Sequence, residues 1–110
     1  MRRVQAVRHD WVSQQEAARD VGRGSEQYKV PIGELLTSGF VSRHSRFESL
    51  SAMLSASSLE PRNLIDMDAA TRERWDAFTR LATAFPDWDS MLREAGAEWL
   101  IRRLGIIVDA

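Results

Sequence analysis

The sequence predicts an all-α fold, a single compact domain of about five to six short helices across residues 1–110. Three observations carry that expectation. Apolar side chains recur every three or four residues, most plainly in the second half of the chain. Serine or aspartate stands ahead of such stretches as a candidate N-cap, and glycine or proline follows them. A chain of 110 residues encloses one core and is too short for two.

Val4, Val7 and Trp11 share helical spacing, which predicts a first short helix over Arg3 to Trp11. Ser13 and Glu16 have the spacing of a capping box, in which each side chain accepts a hydrogen bond from the other residue's backbone N–H. They open a helix from Gln14 to Val21 that Gly22 and Gly24 end. Pro31 is tolerated at the start of a helix and not inside one, so Ile32 to Ser38 reads as the next, with Gly39 as its stop. Ser49 caps a helix whose Leu50, Met53 and Leu54 make one apolar face, and the serine-rich stretch Ser55 to Pro61 reads as a loop.

Asp66 and Asp68 precede a longer helix from Ala69 to Ala84, with Trp75, Phe78, Leu81 and Phe85 expected on one side and Pro86 ending it. Asp87 or Asp89 starts the last helix, along which Trp88, Met91, Leu92, Ala95 and Trp99 trace a stripe. Gly105 stops it, and Arg102 and Arg103 complement the negative end of its dipole. Ile106, Ile107 and Val108 remain as an apolar tail that either folds onto the core or meets a second chain. Residues 40–56 also align on residues 78–94 at an offset of 38, matching Phe40 with Phe78, Phe47 with Phe85, Leu50 with Trp88, Met53 with Met91 and Leu54 with Leu92. The shared pattern describes two similar helical hairpins, although any two capped amphipathic helices share much of it.

Composition narrows the function. Apolar residues make up 44% and charged residues 28%, an ordinary globular balance. There is no cysteine, which removes disulfides, thiolate metal sites and cysteine nucleophiles and suits a reducing cytoplasm. No apolar run is long enough to span a membrane and the N-terminus lacks a signal-type apolar stretch, so a cytoplasmic location is expected. Lys29 is the only lysine, an arginine bias that points to a GC-rich bacterial or phage genome. Net charge is −1, but residues 1–46 hold eight basic side chains against five acidic ones, and residues 47–110 hold seven against eleven. The chain thus divides into a mildly basic half and an acidic half.

No constellation for catalysis assembles from spacing. His9 and His44 are the only histidines and neither has a second ligand at i, i+4, so neither a metal nor a cofactor is expected. The serines between Ser38 and Ser58 lack a glycine-flanked elbow, the pairs Asp66/Asp68 and Asp87/Asp89 sit where caps belong, and no phosphate-cradling glycine loop is present. A pocket joining His9 or His44 to a carboxylate would be the mark of an enzyme. Four tryptophans is a high count, and Trp11, off the main stripes, is the one expected at a surface.

The segment Gln14 to Val30, with Ala17-Ala18 ahead of Gly22, resembles a helix-turn-helix of the excisionase and MerR-like kind. That resemblance implies a recognition helix capped by Ser25, with Gln27 reaching a base edge and Arg23 and Lys29 on phosphates. Two departures stand against it: Arg23 where a buried apolar residue is usual, and Pro31 limiting the second helix to two turns. Tyr28, Arg43, His44 and Arg46 would extend such a surface. The leading expectation is a small non-enzymatic binding protein of bacterial, phage or plasmid origin, a regulator, inhibitor or assembly factor working through another protein, with homodimerisation open. In size and helicity it resembles phage-borne inhibitors of host defence, anti-CRISPR proteins among them. Its candidate interface is Trp11 with Ile106, Ile107 and Val108. The alternative is a DNA-binding regulator using residues 13–30.

Overall fold

A computed structural model describes residues 18–23, 26–59 and 63–105. The predicted helix over Arg3 to Trp11, the first turn of the predicted helix from Gln14, and the Ile106 to Val108 tail lie outside the described residues. Within them the fold is not all-α. Strands β1 (Ala18–Arg23) and β2 (Glu26–Pro31) pair antiparallel, with Ala18 opposite Pro31 and Arg23 opposite Glu26. Where a helix to Val21 and a recognition helix from Ser25 were expected, the chain makes a hairpin.

The reason lies in a period of two that the helical reading overlooked. Arg19 and Val21 on β1 and Tyr28 and Val30 on β2 take one face, while Asp20, Gly22, Gln27 and Lys29 take the other. Val21 and Val30 are buried and Asp20, Gln27 and Lys29 exposed. Valine and tyrosine favour a pleated surface, and burial of Val21 and Val30 decides for strand. The Gly24-Ser25 pair between the strands is of the composition that two-residue hairpin loops favour.

Five helices follow among the described residues: α1 (Ile32–Leu35), α2 (Ser38–His44), α3 (Leu50–Ser57), α4 (Ala69–Ala82) and α5 (Trp88–Leu104). Pro31 opens α1 as expected, but Gly39 does not stop it. The helix ends at Leu35, and Thr37 starts α2 by accepting the Phe40 N–H at 3.1 Å, leaving Gly39 inside. Ser49, Asp68 and Asp87 cap the next three helices, accepting the N–H groups of Ala52, Thr71 and Ser90. Leu81 departs from its expected place. It is 79% exposed, because the buried positions of α4 are Trp75, Thr79 and Ala82, spaced by four and three, and Leu81 falls beside that stripe.

The offset of 38 recurs in the geometry. Ser45 and Thr83, equivalent positions, face each other in an antiparallel bridge between the α2–α3 and α4–α5 bends. Each hydroxyl donates back to the carbonyl four residues earlier, Ser45 to Val41 at 2.7 Å and Thr83 to Thr79 at 2.8 Å. Each then accepts the N–H two residues on, from Phe47 at 3.1 Å and Phe85 at 3.0 Å. Phe40 stacks with Phe85 and Phe47 with Phe78, so each unit's first aromatic meets the other's second. That exchange of partners is what a local two-fold produces.

The core lies where the two units meet the hairpin, around Phe40, Leu50, Met53, Leu64, Trp75, Trp88 and Met91. Trp75 and Trp88 meet edge to face at 5.3 Å. Trp88 Nε1 donates to the Leu64 carbonyl at 2.6 Å, whereas the equally buried Trp75 Nε1 finds no acceptor among the described residues.

Candidate functional site: a groove at the end of the last helix

The hairpin lies with its apolar face along α5. Arg19 pairs with Asp89 at 3.3 Å near the helix start, and Val21 packs against the backbone at Gly96. Tyr28 meets the Trp99 ring at 5.3 Å near the helix end. Gly96 leaves room for this approach: a Cβ there would stand 3.5 Å from both Val21 methyls.

Beyond Trp99, helix α5 and α1 enclose an open groove of about 340 Å³ lined by Glu34, Thr37, Trp99, Arg102 and Arg103. Trp99 Nε1 donates to Glu34 Oε2 at 2.6 Å, a short charge-assisted bond that fixes the indole as a wall. Arg103 holds its guanidinium 5.8 Å from the centre of the Tyr28 ring. Arg102 and Arg103 are exposed and form no ion pair among the described residues, and Leu104 next to them is 45% exposed. By contrast Arg19, Arg43, Arg72 and Arg93 each face a carboxylate.

A second cluster joins α2 to α5. Arg43 forks onto Glu98, with Nη2 to Oε1 at 2.7 Å and Nη1 to Oε2 at 3.3 Å, and His44 Nε2 lies 3.4 Å from the same Oε2. The Arg43 fork holds the Glu98 carboxyl below its ordinary pKa against the opposing effect of burial, and Glu98 in turn raises Arg43. His44 therefore does stand beside a carboxylate, between the rings of Phe40 and Phe85. That carboxylate is committed to a guanidinium and is a weak base, and the groove at the end of α5 does not include His44. The nearby Ser45 hydroxyl is engaged on both sides by backbone. The cluster reads as a tie between helices.

Of the residues singled out from sequence, Gln27 and Lys29 sit on the outer face of the hairpin, where Lys29 pairs with Asp20 at 3.4 Å. Arg23 stands opposite Glu26 in the last pair of the register, where the chain turns from β1 to β2. Ser25, Trp11, Ile106, Ile107 and Val108 lie outside the described residues. Trp99 is buried in the core and Arg102 and Arg103 stand in the last turn of α5, as expected; what the sequence reading missed is that all three also line one groove. The available signal was their spacing, since i, i+3 and i+4 set an indole and two guanidiniums on one helix face.

Among the described residues no group of three His, Asp or Glu side chains comes together to hold a metal ion, and no helix is long and apolar enough to cross a membrane. No known protein family, curated protein or solved structure matches the chain.

Proposed function

We propose that this chain is a non-enzymatic binding protein, a regulator, inhibitor or assembly factor that acts by docking on another protein. The observation that carries this reading is the groove at the end of α5, lined by a pinned tryptophan and by two arginines that form no ion pair among the described residues, with Tyr28 set against Trp99 and Arg103. Tryptophan, tyrosine and arginine are the residues most enriched where interfaces concentrate their binding energy. The side chains are ordered before binding by the Glu34 and Tyr28 contacts, which reduces the entropy lost on association. The DNA-binding alternative rested on a second helix that residues 26–31 do not form, and its lysine stands 3.4 Å from the Asp20 carboxylate.

A photo-crosslinking amino acid at Leu104, introduced in cells that express the chain, tests the reading. The expected result is an adduct with one other protein, with no such adduct from the same group at Gln27 on the outer hairpin face. Equal labelling from both positions overturns it. So does tight binding to mixed-sequence duplex DNA that weakens steeply with salt and is abolished by joint Arg23→Glu and Lys29→Glu substitution.

A further inference from the structure

We infer that the occupant of the α5 groove is an acidic segment of the partner protein, carrying an aspartate or glutamate beside an apolar residue. This rests on the protein-binding reading above and adds the chemistry of what is bound.

Charge makes the case. The lining holds two arginines and one glutamate. Glu34 spends its carboxylate on the Trp99 indole N–H and reaches neither arginine in an ion pair. Among the described residues Arg102 and Arg103 thus have no carboxylate partner beside a concave apolar wall, in a chain whose net charge is negative. A guanidinium presents a planar fork that a carboxylate meets with two parallel hydrogen bonds. Arg103, held over Tyr28, presents that fork already oriented. The edge of Trp99 that faces the groove offers contact to an apolar neighbour of the acid. A groove of about 340 Å³ takes one or two side chains rather than a folded element, so the occupant is an extended or terminal segment.

Panning a random peptide display library against the intact chain, then measuring enriched peptides by fluorescence anisotropy, tests this. The enriched set is expected to carry Asp or Glu next to an apolar residue. A synthetic peptide of that type should bind the joint Arg102→Glu and Arg103→Glu variant about tenfold more weakly or worse, since two exposed charge pairs are removed. It should bind the Lys29→Glu variant unchanged, which separates a local groove from general attraction of an acidic probe. Circular dichroism checks that both variants fold.

Enriched peptides without acidic residues that still compete at the groove overturn the acidic occupant and leave the protein-binding reading standing. Acidic peptides that bind the double variant as well as the natural chain overturn it too. Self-association abolished by the double variant also overturns it, because the occupant is then a second copy. A panning that enriches nothing counts against the inference, while the Leu104 adduct decides the broader reading independently.

Discussion

The α2–α3 unit and the α4–α5 unit begin alike and end differently. Their bends repeat bond for bond, through Ser45 and Thr83, then through the caps at Ser49 and Asp87. Past the caps the paths part. Helix α3 stops at Ser57, and Ser58 turns it off in the left-handed region at φ 60°. At the equivalent position, 38 residues on, α5 carries Gly96 and continues to Leu104. That continuation supplies the seat for Val21, the Tyr28–Trp99 contact and the groove. The shared part builds a core and the unshared part builds a surface.

The comparison breaks most sharply at its aromatic stacks. Phe40 is fully buried and its equivalent Phe78 only partly so, so Phe40→Ala is expected to cost about 3–5 kcal/mol by urea denaturation and Phe78→Ala about half of that. Equal losses would mean that the two units share their load evenly. Next come the two core tryptophans. Trp88→Phe orphans the buried Leu64 carbonyl and should cost about 2–4 kcal/mol, whereas Trp75→Phe removes an N–H that has no acceptor among the described residues and should cost about 1–2 kcal/mol. A larger loss at Trp75 would sink this account.

The caps differ in chemistry, and pH separates them. Ser49→Ala should cost about 1 kcal/mol at every pH. Asp87 has its pKa lowered by the Ser90 backbone N–H and then by the Ser90 hydroxyl. A group with a depressed folded pKa contributes fully above its unfolded pKa and loses that contribution as pH falls through the folded one. Thermal melts of Asp87→Ser should therefore show a shallower acid decline than the natural chain; an unchanged acid limb assigns the decline to Asp68 and Glu98, which are shifted the same way. The smallest effects lie where the paths part. Gly96→Ala gains helix propensity with its Cβ in ordinary contact with Val21, and Ser58→Gly relieves a left-handed serine, so each should stabilise by up to about 1 kcal/mol. A loss at Gly96 would mean that Val21 cannot give way.

What the sequence disclosed follows the same division. Positions governed by local rules were legible: the caps at Ser49, Asp68 and Asp87, the stop at Gly105, and the stripe from Trp88 to Trp99. The alignment of the two bends was legible too, because it repeats side chains that act on their own backbone. The hairpin was misread, since Ala17-Ala18 and the capping spacing of Ser13 and Glu16 favour a helix locally. Only contact with α5 makes the alternation of Val21, Tyr28 and Val30 decisive. The groove was illegible for a similar reason: Glu34 and Trp99 lie 65 positions apart and meet through the fold.

The exchanged stacks at the bends carry one more consequence. Phe40 on Phe85 and Phe47 on Phe78 would be satisfied equally whether the two units belonged to one chain or to two. What favours closure within a chain is the tether from Ser58 to Asp68, which sets the effective concentration of one unit at the other. Deleting residues from that tether until it can no longer span the gap would leave the stacked rings of the bends available and forbid their closure within one chain. The same surfaces would then close between chains as a swapped dimer, with a stability that rises with protein concentration.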